Sequence, residues 1–226
     1  MRPGPYLIHT QSNRGETVMG NRAVITTEDK KLGVYLHWNG GRDSVEAFLR
    51  YCDLRGFRPP DSDEYGWARL CQVIANFMGA GGLSVGISKY TTDERMDPGD
   101  NGIYVIRGWE IVDRVYPWGG FEEQDEYPLD MMLKEIDAAQ PADQQLGAFL
   151  DAEEVPTSSV EVGDEVYVRQ VGGRYEAFPV VGVGDGRVVN GLDTSGVPYA
   201  RMYNGDACAD NINNYLRTPT VRRVPR

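Results

Sequence analysis

Apolar and polar positions fall into short, well-separated periods along the chain. Residues 23–27 and 32–38 are β-rich, and the polar run Glu28-Asp29-Lys30-Lys31 lies between them, which predicts a β-hairpin. Asn39-Gly40-Gly41 then breaks the second strand. Asp43 with Glu46 three residues on reads as a capping box. Val45, Phe48, Leu49 and Cys52 fall on one face of the helix that would follow. Gly56 and Pro59-Pro60 end it. A second helix is predicted over 64–77, with Trp67, Leu70, Cys71, Ile74 and Phe77 on one side and the glycine-rich run from Gly79 to Gly82 closing it.

Residues 83–88 form a short apolar strand pattern. The turn signal Asp97-Pro98-Gly99-Asp100-Asn101-Gly102 precedes two more strands, 103–107 and 110–115, around Gly108. Beyond Pro117 the chain turns polar, yet Leu129, Met132, Leu133 and Ile136 have helical spacing. Leu146, Phe149 and Leu150 predict a further short helix after Pro141. From Val160 the pattern becomes short strands, at 166–170, 175–183, 187–191 and 197–203, separated by Gly172-Gly173 and Gly184-Asp185-Gly186. Residues 206–216 read as a short helix, and the tail from 217 to 226 carries four arginines and no acids.

These periods predict an α+β protein: an antiparallel sheet covered by two helices, an acidic helical connector, and a small all-β unit. The expected organisation is a loosely attached segment 1–18, an α+β domain 19–116, a connector 117–159 and a small β-barrel with a basic tail, 160–226. Met19, which opens the better-formed segment, is an alternative translation start to Met1. The run Val162-Gly163-Asp164-Glu165-Val166-Tyr167-Val168 resembles the opening strand of SH3-like small barrels.

Charge changes this picture more than composition does. The chain has 226 residues and a net charge of −11, but residues 110–165 hold 16 acidic and 2 basic side chains. The rest of the chain is slightly basic. Such a block either keeps a linker solvated or presents a negative surface to a basic partner. A pI near 4.7 speaks against nucleic-acid binding by overall charge, so direct binding is expected only through the Arg-rich tail. Three dispersed cysteines, Cys52, Cys71 and Cys208, give neither a disulfide framework nor a zinc site, and they point to a reducing cytoplasm. Cys52 and Cys71 lie on apolar helix faces and read as buried small hydrophobes. No apolar run approaches bilayer length, and the N-terminus has no secretory apolar core.

Candidate chemistry is sparse. His37, Asn39, Arg42 and Asp43 gather where a strand passes into a helix, so His37 could be a general base oriented by Asp43, and Arg42 could hold an anion. The simpler reading is a packed strand histidine and a glycine turn. Asp93, Asp97, Asp100 and Asn101 crowd one turn without the spacing of a calcium loop, and there is no phosphate-binding glycine motif. No cofactor or metal is expected. The acidic block offers Glu122, Glu123, Asp125, Glu126, Glu153 and Glu154 as carboxylates that would imitate a nucleic-acid backbone.

The segment Gly20-Asn21-Arg22-Ala23-Val24-Ile25, followed by Tyr35-Leu36-His37-Trp38-Asn39-Gly40-Gly41 and Asp43-Ser44-Val45, resembles a group of uncharacterised bacterial, phage and mobile-element proteins. The resemblance covers 19–115 and transfers no catalytic role. It implies an accessory protein acting against host defence, and with the acidic block the expected function is a cytoplasmic inhibitor, anti-CRISPR-like, whose partner is a basic nucleic-acid-binding protein or ribonucleoprotein. The alternatives are a hydrolase centred on His37 and Asp43, and a two-domain adaptor.

Overall fold

The computed structural model describes residues 21–79, 84–119, 128–169, 174–184, 187–190, 215–216 and 220–225. The expected strand at 197–203 lies outside them. So does most of the helix expected over 206–216.

Strands β1 (Ala23–Thr27), β2 (Leu32–Leu36), β3 (Val85–Lys89), β4 (Ile103–Arg107) and β5 (Glu110–Val115) form one sheet, in the order β3-β2-β1-β4-β5. The sheet is mixed, which corrects the antiparallel expectation: β1 and β4 pair in parallel, with Val24 opposite Ile103 and Thr27 opposite Ile106. The reason lies in burial. Every residue of β1 is buried, as are four of the five in β4, so both strands are covered on both faces like the strands of parallel sheets.

Helices α1 (Arg42–Leu54) and α2 (Tyr65–Met78) cover one face. Their apolar stripes meet Ala23, Ile25, Val34, Leu36, Tyr104 and Ile106 of the sheet in a single core. Each fully buried large side chain there, such as Phe48, Leu70 or Ile74, contributes about 1.5–3 kcal/mol. Asp43 does not cap α1. Gly41 occupies the N-cap, and Asp43 sits in the first turn, where a carboxylate still favours the helix N-terminus. Gly40 is required for contact rather than for φ: a Cβ there would lie 2.7 Å from the backbone N of Ala23. The opposite face carries a smaller cluster of Val24, Tyr90 and Ile103, with Tyr35 and Met96 packed against it. Met96 ends the single-turn helix α3 (Asp93–Met96).

The expected connector is divided between the two sheets. Helix α4 (Leu129–Ala138) buries Met132, Leu133 and Ile136 in the main core, joined by Leu146 and by Phe149 of the 3-10 turn Gly147–Asp151. Its last part is strand β6 (Glu153–Pro156). With β7 (Glu165–Arg169), β8 (Tyr175–Gly184), β9 (Arg187–Asn190), β10 (Tyr215–Leu216) and β11 (Thr220–Arg223), it builds a second sheet in the order β10-β9-β8-β7-β11-β6. That sheet is not closed into a barrel, so the SH3-like closure is not met among the described residues. Tyr215 and Leu216 are strand rather than helix. The arginine tail is not a free appendage either: β11 lies between β6 and β7 and buries Val221 beside Val155 and Val166.

Aromatic side chains join the two sheets. Phe149 stacks on Tyr175 at 3.7 Å and meets Tyr167 edge-on at 5.9 Å. The Tyr175 hydroxyl donates to the carbonyl of Leu54 (3.0 Å), and Tyr51 donates to that of Gln144 (2.6 Å).

Candidate functional site

The strand-to-helix junction holds His37, Asn39, Arg42 and Asp43 close together, but it does not wire them as a catalytic set. His37 is exposed. Its Nδ1 lies 2.9 Å from the Tyr35 hydroxyl, and its ring packs edge-on against Trp38. Asp43 accepts from Ser44 Oγ at 3.4 Å and shares no hydrogen bond with His37. Asn39 adopts a left-handed conformation, φ +55°, which asparagine tolerates, and its side-chain amide reaches Ser44 Oγ at 3.4 Å. Arg42 pairs with Glu46 one turn along α1, at 3.4 Å. A general base in the usual arrangement is oriented by a carboxylate, and here a phenol takes that place.

Below this junction, Asp100 receives Arg22 through two guanidinium bonds and a backbone N–H, at 2.7–3.0 Å. Burial works against the ionised form of Asp100, but the Arg22 bonds outweigh it and hold the carboxyl below its ordinary range. Asp93 goes to Lys30 and to the Tyr90 hydroxyl, and Asp97 accepts from the Gly99 amide. The carboxylates that the sequence crowds around one turn thus serve separate partners. Among the described residues, no three His, Cys, Asp or Glu side chains are grouped as a metal site would need.

Cys52 is fully buried and Cys71 half-buried, and both are free thiols. Burial pushes both thiols up, Cys71 to about 11, which leaves them protonated and unreactive at neutral pH.

Most described carboxylates of the acidic block fall into three groups. Asp137 is buried and accepts from the backbone amides of Leu146 and Gly147, at 2.6 and 3.0 Å, capping the 3-10 turn. Asp164 is also buried, 3.5 Å from Arg223. A second group is neutralised by neighbours: Asp151 by Lys134, Glu153 by Arg223 and Glu154 by Arg222. The third group is exposed and forms no ion pair among the described residues: Asp130 and Glu135 on the outer half of α4, Asp143 in the turn after it, Glu110 and Asp113 on β5, and Glu165 on β7. Of the six expected docking carboxylates, Glu122, Glu123, Asp125 and Glu126 lie outside the described residues. Glu153 and Glu154 already hold arginines of β11.

The expected six name none of the third group. The signal was present, since burial of Met132, Leu133 and Ile136 leaves Asp130 and Glu135 on the outer half of the same helix. No family model matches the sequence, and neither a curated protein nor a solved structure matches the chain. Among the described residues, no helix is long and apolar enough to cross a membrane.

Proposed function

We propose that this is a cytoplasmic accessory protein of a phage or mobile element that binds a basic nucleic-acid-handling bacterial protein and inhibits it, with a CRISPR effector as the first partner to test. The acidic surface does the docking. The observation that carries this reading is the position of Asp130 and Glu135: exposed, in no ion pair among the described residues, and held on a helix whose inner face is cemented into the core, with Asp143 in the turn just after it. Unneutralised carboxylates on a rigid support steer a basic partner over several ångströms, and the effect weakens as salt screens it. Glu122, Glu123, Asp125 and Glu126, just before α4 in sequence, extend the same charge. Glu153 and Glu154 contribute less, because β11 supplies their counter-charges. The open second sheet is offered as a relative of the SH3-like barrels that would fix β6 in place.

The test is inhibition of DNA cleavage by a CRISPR effector ribonucleoprotein over a range of salt. Wild-type chain should inhibit most strongly at low salt. A variant carrying Asp130→Asn, Glu135→Gln and Asp143→Asn, and a second with 122, 123, 125 and 126 neutralised, should each lose inhibition while keeping the same melting temperature. Inhibition that survives both sets of changes, or that ignores salt, rules out charge docking.

A further inference from the structure

The two outer edges of the five-stranded sheet differ. At β5 the pairing slips: Val105 faces Asp113 and Ile106 faces Ile111, which leaves Val112 as an extra, bulged residue. Glu110 and Asp113 flank it, both exposed. A bulge with charges on either side is how sheet edges are kept from pairing with other strands. At β3 there is no bulge, and the one charge is Lys89 at the strand's end. Its register with β2 is regular over five residues, from Leu32 opposite Lys89 to Leu36 opposite Val85. No carboxylate lies between Ser84 and Lys89, and Ile87 is 58% exposed.

The hydrogen-bond alternation shows which groups this edge presents. His37 N donates to Ser84 O and Tyr90 N donates to Lys31 O, so residues 84, 86, 88 and 90 bond inward to the β2 side. Val85, Ile87 and Lys89 therefore point their N–H and C=O groups outward. Among the described residues no strand receives them.

We propose that β3 is the dimerisation edge of this protein, pairing antiparallel with β3 of a second copy about a two-fold axis at Ile87. In that register Ile87 faces its own copy and Val85 faces Lys89 of the other chain. All three outward residues on each strand meet outward residues on the other, giving six backbone hydrogen bonds and one ten-stranded sheet. The strand also keeps like charges apart in this pairing. Its only charge, Lys89, lies two residues from the axis, so the two ammonium groups stand about 13 Å apart along the strands, beyond the screening length at physiological salt. For a chain of net charge −11, a carboxylate-free edge is where two copies can meet with least repulsion. The contact is small for a permanent dimer, so association is concentration-dependent.

Sedimentation equilibrium of the full chain tests this, together with backbone amide exchange of the wild type at low and high concentration. The mass should rise from 25.2 kDa toward twice that value with concentration. The Ile87 and Lys89 amides should exchange at least about tenfold more slowly in the concentrated sample. Ile87→Pro removes one outward donor without touching the bonds to β2, and Ile87→Lys places two like charges at the axis. Either should abolish the mass increase, and Val112→Ser on the other edge should not. A wild-type chain that stays monomeric to about 1 mM overturns the proposal. So does a dimer whose Ile87 amide exchanges at the monomer rate, or a monomer whose β3 edge accepts only an extended strand of another protein.

Discussion

Arg223 of β11 donates to the Glu153 carboxylate of β6 across 2.7 Å and lies 3.5 Å from the buried carboxylate of Asp164. One guanidinium thus serves an exposed acid on one neighbouring strand and a buried acid just before the other. The two contacts should differ in weight. Glu153→Gln breaks an exposed pair and should cost below about 1 kcal/mol. Arg223→Gln also removes the cation beside Asp164 and should cost about 2–3 kcal/mol. Urea unfolding of the two variants measures this, and equal costs would show that Asp164 does not depend on Arg223.

Because Ile136 is fully buried in the core shared with α1 and α2, the acidic helix should unfold with the first sheet rather than fray alone. Ile136→Ala should cost about 2–5 kcal/mol. Asp137→Ala strips the acceptor from two backbone amides and should cost about 1–3 kcal/mol. Both should lower the midpoint of the main transition as read by tryptophan fluorescence, since Trp67 and Trp109 lie in that core. A loss confined to a separate, earlier transition would mean that the connector is an independent unit.

The sequence revealed elements whose apolar period is local. The strands β1, β2 and β4 and the helices α1, α2 and α4 each bury apolar residues that their own spacing announces, and β5 is legible from its alternation although it buries no residue fully. What it hid depends on distant partners. β6 offers one buried residue, Val155, between two glutamates and a proline, and reads as polar connector. β11 reads as a basic tail because its arginines are visible in sequence, whereas the strand and the glutamates it pairs with lie about seventy residues earlier. The parallel pairing of β1 with β4 is likewise a tertiary relation. At the junction, spacing brought His37 and Asp43 near each other but could not show that Tyr35 and Ser44 are their respective partners.

Thiol chemistry should follow burial. Cys52 has no exposed surface, and burial holds the Cys71 thiol near 11, so alkylation with iodoacetamide at pH 8 should leave Cys52 unmodified and label Cys71 slowly. Mass spectrometry of tryptic peptides against a urea-unfolded control reads both sites. Rapid labelling of Cys71 in the native protein would show that the α2 face opens in solution.

Stability should fall in acid through two identifiable carboxylates. The Lys30 ammonium, bonded to both oxygens, and the Tyr90 hydroxyl hold Asp93 below its ordinary value of 3.8. At Asp100 burial opposes ionisation, yet the Arg22 bonds still hold it below the same value. In both cases the folded chain binds fewer protons than the unfolded chain, so stability rises with pH across that window. The contribution is complete above the ordinary value and is lost as pH falls through the lower folded-state values. Asp100→Asn should therefore cost about 1 kcal/mol at pH 7. The loss should be smaller for Asp93→Asn, whose carboxylate is more exposed. Below pH 4 the stability of either variant should decline less steeply than that of the wild type. Thermal melts from pH 7 to pH 2 measure this, and parallel curves for wild type and both variants would show that neither pair is linked to folding.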